Sequence, residues 1–105
     1  MVCDATPTNY ETREPSKGIL EAALSSGASA ITCSKGGVGL DLAGLKKLAF
    51  ERGAELRYES SVLSGTPLIN LVRSAIAGCE VEKVEGIVNE TTNYILTRKI
   101  GRAHV

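Results

Sequence analysis

Four segments of the sequence carry polar or glycine-rich residues of the kind that bind small ligands. Hydroxyl groups, a carboxamide and a lysine ammonium can hydrogen-bond a polar ligand, and glycines let the backbone approach it closely. The segments are Thr6-Pro7-Thr8-Asn9, Ser34-Lys35-Gly36-Gly37, residues 60–66 and Asn89-Glu90-Thr91. Together they predict a binding site, although loops between strands and helices are polar in many folds that bind nothing there.

The second of these segments also resembles a phosphate-binding loop. Lys35-Gly36-Gly37-Val38-Gly39 is similar to the variant loop of the ParA/MinD-type ATPases. Such a loop continues with a Lys that reaches the β and γ phosphates and a Ser or Thr that holds magnesium. This chain has Leu40 and Asp41 at those positions, and a carboxylate repels phosphates. An ATPase fragment is therefore a disfavoured alternative.

Strand and helix patterns alternate along the chain. Apolar or alternating stretches predict strands at residues 2–5, 30–33, 55–59 and 81–88, and residues 34–39 are predicted as a glycine-rich loop. Helical spacing of apolar residues predicts helices at residues 15–25, 42–52 and 67–78, and from residue 89 onwards. Asp41 and Thr66 are suited to cap helices, and Gly27 and Gly53 to end them.

This alternation predicts an α/β fold with an at least partly parallel sheet. Ligands of such open sheets bind beyond the carboxyl ends of the strands, where helix N-termini and variable loops meet. Each of the four polar segments follows a predicted strand. We therefore expect them to lie along one edge of the sheet.

Composition restricts the kind of partner. The 105 residues include 12 Lys and Arg against 12 Asp and Glu. This balance gives no net field that would hold nucleic acid or an anionic membrane, and no apolar run is long enough to cross a bilayer. We expect a small-molecule substrate, no nucleic acid and no membrane. Because the start lacks the pattern of a secretory leader, we expect a cytoplasmic location.

Four motifs occur in one order and spacing over about residues 2–98. They are Asp4-Ala5-Thr6-Pro7-Thr8; Ala30-Ile31-Thr32-Cys33-Ser34-Lys35; Tyr58-Glu59-Ser60-Ser61-Val62 followed by Gly65-Thr66-Pro67-Leu68-Ile69; and Gly86-Ile87-Val88-Asn89-Glu90-Thr91-Thr92-Asn93-Tyr94-Ile95-Leu96. Together they resemble the homoserine dehydrogenase family. The last motif is the most specific, because it is similar to Gly-Ile-Leu-Asn-Gly-Thr-Thr-Asn-Tyr-Ile-Leu of that family.

The resemblance implies a fold and a reaction. The fold would be α/β, a partial Rossmann-like (doubly wound) sheet running into the start of an α+β catalytic domain. The reaction would be reversible hydride transfer between NADP or NAD and the pair L-homoserine and L-aspartate 4-semialdehyde, in threonine and methionine biosynthesis. The resemblance also assigns a homodimer as the state of the parent protein.

The same resemblance assigns site residues. Thr6, Pro7, Ser34 and Lys35 would contact the cofactor, with Lys35 near the nicotinamide end. Asn89, Glu90 and Thr91 would lie beside the substrate. The alternative for Lys35 is a solvated loop lysine, which is the usual environment of lysines.

A monovalent cation, Na⁺ or another, is implied at the turn after the third strand. Main-chain carbonyls would hold it, those of Glu59, Val62, Ser64 and Thr66. The alternative is a purely structural turn in which Gly65 supplies an unusual backbone conformation and Glu59 points to water.

The sequence departs from the family pattern at four positions. Ser34 replaces an Asn, and Gly37, Leu63 and Glu90 replace a proline and two glycines. Glu90 is the most consequential, because glycine at the start of a helix permits close approach to a ligand. A carboxylate there favours the helix by about 0.3–1 kcal/mol, so the fold tolerates it. Our hypothesis is that Glu90 weakens ligand binding or changes the substrate.

We expect three parts in this chain. Residues 1–63 would be the C-terminal part of an NAD(P)-binding domain, residues 64–98 the start of the substrate domain, and residues 99–105 a non-native tail similar to translated adapter DNA. The family's glycine-rich fingerprint, acidic substrate ligands and catalytic lysine have no counterpart here, and His104 cannot replace them. We therefore expect an inactive fragment of an active enzyme. The alternative is a non-catalytic nucleotide-binding module of the same ancestry.

Overall fold

The computed structural model describes residues 1–87 and 89–103, with the backbone alone described for Glu90, Arg102 and Ala103. The predicted strand end at Val88 and the histidine at position 104 lie outside the described residues. So does the last position of the predicted tail, Val105.

Three short parallel strands form the sheet. They are β1 (Val2–Asp4), β2 (Ala30–Thr32) and β3 (Leu56–Arg57), in the order β1-β2-β3. The register pairs Asp4 with Thr32 and Ile31 with Arg57. Ala30, Thr32 and Leu56 are buried on one face, while Ile31 and Arg57 are exposed on the other. The prediction of an α/β fold with a parallel sheet is confirmed.

Helices α1 (Ser16–Ser25) and α3 (Leu42–Glu51) pack against each other and against the sheet. Their ends follow the predicted signals. The Asp41 carboxylate accepts a hydrogen bond from the Gly44 amide at 3.3 Å, and Gly27 and Gly53 have φ values of 78° and 63°. The apolar side chains buried between the helices and the sheet form the core, namely Leu20, Ala23, Leu24, Ala30, Val38, Leu45, Ala49, Leu56 and Tyr58.

The glycine-rich segment after β2 is a short helix, α2 (Lys35–Gly39), so the prediction of a loop was wrong. Glycine is a poor helix former, and local propensity alone gives no reason for this helix. Its close packing against residues distant in sequence gives a reason. A Cβ atom would lie 2.8 Å from the Asn9 carbonyl oxygen at Gly36 and 2.5 Å from Ser16 Oγ at Gly37. At these two positions the helix therefore lies too close to its neighbours to accommodate a side chain.

The second half of the chain departs further from the prediction. Helix α4 (Glu59–Leu63) begins where strand three was expected to end, and α5 (Leu68–Asn70) continues as a π-helical turn (Leu71–Ala75). Thr66 makes no side-chain cap, so that prediction was wrong.

The predicted fourth strand was also wrong over its described residues. Residues 81–87 have no regular structure, and their apolar side chains are exposed. These side chains, Val81, Val84 and Ile87, recur every three residues, a spacing that does not place them on one face of a strand. The predicted last helix is confirmed as α6 (Glu90–Ala103). Within the described ranges, no helix has the length and apolar character that spanning a bilayer requires.

Candidate functional site

A buried carboxylate lies at the carboxyl end of β1. Asp4 is 4% exposed and accepts four hydrogen bonds, two on each oxygen. Its Oδ1 accepts from the Thr6 amide at 3.0 Å and the Thr6 hydroxyl at 2.6 Å. Its Oδ2 accepts from the Ser16 hydroxyl and from the Thr32 hydroxyl at 2.8 Å. Asp4 therefore links β1 to the loop after it, to the start of α1 and to the end of β2.

The charge of this carboxylate is stabilised by dipoles. Burial opposes ionisation of Asp4, but hydrogen bonds from Ser16, Thr6 and Thr32 outweigh it, so the pKa of Asp4 lies below its usual value of 3.8. Asp4 is thus an anion at neutral pH. A group that holds its negative charge so firmly is suited to fixing donors in place and unsuited to giving a proton to a reacting molecule.

Two of the predicted segments are brought together at this edge. The Thr32 hydroxyl, which donates to Asp4, accepts a hydrogen bond from the Ser34 amide at 3.0 Å. The Lys35 amide donates to the Thr8 hydroxyl at 3.2 Å. The expectation that the Thr6–Asn9 and Ser34–Gly37 segments meet beyond the strand ends is therefore confirmed.

A cleft of about 530 Å³ opens beside the second segment, which lines it through Lys35, whereas Thr6, Pro7 and Ser34 are not part of its lining. Its polar side chains are few and include Lys35, which is half-buried, and Asn89. Such a cleft suits a largely apolar group that carries a few polar atoms. The lining residues are Lys35, Val38, Gly39, Leu42, Tyr58, Ser61, Val62, Leu63, Leu68 and Asn89.

The Ser34 hydroxyl is a buried polar group without a partner. Ser34 is 2% exposed, and its Oγ makes no hydrogen bond within the described part of the chain. An unsatisfied buried hydroxyl is uncommon and points to a strained site or to a group that completes it. Ser34 was one of the residues predicted to contact the cofactor.

The predicted cation turn has a structure that neither alternative anticipated. The Glu59 carboxylate accepts from the Ile69 amide at 2.8 Å and the Asn70 amide at 3.1 Å, so it caps α5. Positive φ occurs at Ser64, at 52°, and not at Gly65. The structural alternative, with Glu59 in water and Gly65 in the unusual conformation, was therefore wrong in both details.

The carbonyl cage itself stays a prediction. The Thr66 carbonyl accepts from the Leu68 amide at 2.9 Å, which leaves it one free lone pair, while Val62 lies within α4. Over the residues described here, no group of three or more His, Cys, Asp or Glu side chains could hold a metal ion. A cation at this turn would depend on main-chain oxygens.

The last predicted segment reaches the cleft through Asn89. Asn89 Oδ1 accepts hydrogen bonds from the Thr92 amide at 2.8 Å and from the Thr92 hydroxyl, so Asn89 caps α6. Thr91 is exposed, and nothing is described of the Glu90 side chain. Asn89, one of the three residues predicted beside the substrate, lines the cleft.

Sequence patterns missed two residues that organise the site, Asp4 and Ser61. Asp4 was noted only as part of a motif, because its partners Ser16 and Thr32 lie 12 and 28 positions away. Ser61, whose hydroxyl donates to the Thr32 carbonyl at 3.1 Å, ties the cleft wall to β2. A buried strand that ends in an acidic residue was the one available signal.

Comparisons with known proteins point to one family. Residues 67–103 match the family model described as homoserine dehydrogenase. The NAD(+)-dependent homoserine dehydrogenase of Pseudomonas canavaninivorans is 40% identical over 101 residues, which are 96% of this chain and 29% of that protein. The homoserine dehydrogenase of Methanocaldococcus jannaschii is 37% identical over 98 residues, 93% of this chain and 29% of its own length.

Solved structures agree with these matches. The crystal structure of a putative homoserine dehydrogenase from Archaeoglobus fulgidus superposes with a TM-score of 0.65 at 32% identity, covering 77% of this chain and 24% of the other. A hyperthermophilic archaeal homoserine dehydrogenase mutant in complex with NADPH gives a TM-score of 0.62 at 28% identity, covering 73% and 23%. The chain thus spans less than a third of the length of these proteins.

Proposed function

Because this chain belongs to the homoserine dehydrogenase family, we propose that the protein of which it is a segment interconverts L-homoserine and L-aspartate 4-semialdehyde with NADP(H) or NAD(H). The observation that carries the proposal is the meeting of Thr6–Asn9 and Ser34–Lys35 at the carboxyl edge of a parallel sheet, where Lys35 also lines an apolar cleft. Relatives name both cofactors, since one is NAD(+)-dependent and another was solved with NADPH.

The residues at the sheet edge fit a nicotinamide cofactor. Thr6 and Pro7 would line one side of the cofactor, and Ser34 and Lys35 the other. The unpartnered Ser34 hydroxyl is a buried polar group that a ligand could satisfy. When bound, the nicotinamide supplies the hydride acceptor or donor. The chain's own part is to exclude water with the apolar cleft and to place the Lys35 ammonium near the polar edge of the bound molecules.

The segment that opens α6 would be the substrate side. Asn89 lines the cleft, and Glu90 and Thr91 follow it at the first turn of the helix. Glu90 is the residue that departs from the family pattern, so we keep the hypothesis that it weakens binding or changes the substrate. A Glu90→Gly variant of the complete protein tests this. Unchanged KM and kcat for homoserine would dispose of the hypothesis.

The remaining assignments are part of the same proposal. Residues 1–63 would belong to the NAD(P)-binding domain, residues 64–98 to the substrate domain, and residues 99–105 to a non-native tail. The carbonyls of Glu59, Val62, Ser64 and Thr66 would hold Na⁺ or another monovalent cation. The parent protein would be a cytoplasmic homodimer.

The experiment uses the complete reading frame that contains this sequence. We expect NAD(P)⁺-dependent oxidation of L-homoserine, followed by the absorbance of the reduced cofactor. Lys35→Met should lower kcat/KM about tenfold to a hundredfold, because a charge-assisted contact is lost in the cleft. The control is Lys47→Met, since Lys47 is 78% exposed on α3 and pairs with Glu51.

The outcomes separate the alternatives. Cofactor binding without turnover would favour the non-catalytic nucleotide-binding module. Tight magnesium-dependent ATP binding would favour the ATPase, although Asp41, which caps α3, already has a structural role. Equal loss of activity in both lysine variants would remove the assignment of Lys35 to the site.

A further inference from the structure

We propose that Asp4 is a positioning residue that holds both cofactor-contacting segments in register through its buried hydrogen bonds. The proposal rests on the proposed function for the meaning of those segments. Its physical content, that one carboxylate fixes two chain segments, does not depend on the reaction.

The carboxylate reaches the first segment directly. Asp4 Oδ1 accepts from both the amide and the hydroxyl of Thr6, the residue that precedes Pro7. Two bonds from one residue to one oxygen fix the direction in which the chain leaves β1. Thr6 and Pro7 are the residues assigned to the cofactor on this side.

The carboxylate reaches the second segment through Thr32. The Thr32 hydroxyl has one proton, which it donates to Asp4 Oδ2, so its lone pairs point away and accept from the Ser34 amide. The chain turns there into α2, which begins at Lys35. Ser61 on the cleft wall donates to the carbonyl of the same threonine. Asp4 is thus connected to both cofactor segments and, through one further bond, to the cleft.

A carboxylate fits these four donors better than a carboxamide does. Each oxygen of Asp4 accepts from two donors. In an Asp4→Asn variant the NH₂ group must face one of these pairs. On the Oδ1 side it would meet the Thr6 amide, which can only donate. On the Oδ2 side the Ser16 and Thr32 hydroxyls would have to turn and accept, so their protons would lose the acceptor that Asp4 provides. The variant has nearly the same volume, so it disturbs the hydrogen bonds of one oxygen without leaving a cavity.

The test compares four variants of the complete protein. Asp4→Asn disturbs the hydrogen bonds that the carboxylate accepts. Thr32→Val removes, at similar volume, the hydroxyl that joins Asp4 to the Ser34 amide. Thr32→Ser retains this hydroxyl and should keep both of its hydrogen bonds. The matched control is Asp41→Asn, an aspartate that caps α3 through an exposed hydrogen bond from the Gly44 amide. Two readouts are measured, the Kd for NADPH and NADH, and amide hydrogen exchange at residues 6–9 and 34–37.

We expect Asp4→Asn to raise the Kd of the preferred cofactor about tenfold, in line with the loss of a hydrogen bond to a charged group. Exchange should become faster in both segments together. Thr32→Val should act on residues 34–37 first, Thr32→Ser should stay near the parent, and Asp41→Asn should affect α3 alone.

The proposal is overturned if Asp4→Asn leaves exchange in either segment at the parent rate, or if Thr32→Ser behaves like Thr32→Val. A parent protein that binds neither cofactor would refute the proposed function instead. The exchange data would still test the positioning role in that case. Faster exchange in both segments of Asp4→Asn supports the role, and faster exchange in only one of them refutes it.

Discussion

Residues 1–63 and residues 64–103 of this chain differ in how their structure is held. Among the described residues, every buried hydrophobic side chain belongs to the first region, from Leu20 to Tyr58. In the second region Tyr94, Leu96 and Ile100 are 59%, 55% and 59% exposed. Helix α5 is tied to the first region, because Glu59 caps it and the Tyr58 hydroxyl accepts from Arg73 at 2.7 Å. Helix α6 is capped within its own region, by Asn89.

This difference shows which part of the proposed site is shaped in advance. The cofactor side is built on buried groups that bond to each other across the sheet. The substrate side depends on helix ends with little burial behind them. Burial excludes water and makes hydrogen bonds harder to break, so the cofactor side should keep its geometry better. The contrast also supports a domain boundary near residue 63, which remains a proposal.

The largest effect should follow from removing a core side chain of the first region. Leu20 of α1 is fully buried in the core. We expect Leu20→Ala to lower the free energy of unfolding by about 2–5 kcal/mol, because apolar burial is lost and a cavity is left. Urea titration of the chain measures it. Leu96→Ala on α6 is the control and should change the value by no more than about 0.5 kcal/mol. Similar losses in both variants would abolish the contrast.

A pair of glycines in α2 tests the packing of the cofactor side. At Gly37 a new Cβ atom would meet Ser16 Oγ at 2.5 Å and Leu20 Cδ1 at 2.9 Å, whereas at Gly39 nothing lies within 4 Å. Gly37→Ala should cost about 1–3 kcal/mol through overpacking. Gly39→Ala, the same change in the same helix, should gain up to about 1 kcal/mol from helix propensity. Thermal melts of both variants measure these changes. A Gly37→Ala variant that melts at the parent temperature would show that α2 is loosely packed.

The glycines also show why prediction from sequence succeeded in some places and failed in others. Helices α1 and α3 carry their own signals, namely an apolar stripe, a cap at Asp41 and left-handed stops at Gly27 and Gly53. Helix α2 carries none, because its formation depends on contacts with Asn9 and Ser16 that are distant in sequence. Sequence patterns therefore predict helices that local residues stabilise, and they miss a helix that depends on residues distant in sequence.

The same reasoning applies to the site. The positions of the polar segments beyond the strands were predictable from the order of elements alone. The role of Asp4 as the acceptor of four hydrogen bonds was not predictable, because the parallel register first has to bring Thr32 opposite Asp4. The absent strand at residues 81–87 has a related cause, since a strand needs a neighbour and the sequence of one segment does not supply it.

Acid should act on the first region through Asp4. Its pKa is lower in the folded chain than the unperturbed 3.8, so folding releases protons there and stabilises the chain above that value. Stability should fall as the pH drops from 3.8 through the folded-state pKa. Asp4→Asn should remove this part of the pH dependence and be less stable at neutral pH. Urea midpoints across the range measure it, and Thr32→Ser should retain the parent profile. An unchanged acid profile in Asp4→Asn would assign the transition to other groups.

The smallest effect should come from the cap of α6, and it tests whether the two regions are independent. Asn89→Ala removes the acceptor for the Thr92 amide and should cost the helix about 1 kcal/mol. Asn93→Ala, inside the same helix, should instead gain up to about 0.7 kcal/mol, since alanine is the better helix former. Amide exchange at residues 90–103 should move in opposite directions in the two variants, while the urea midpoint of the core stays fixed. If Asn89→Ala also shifts that midpoint, α6 and the core unfold together, and the substrate side of the site is held as firmly as the cofactor side.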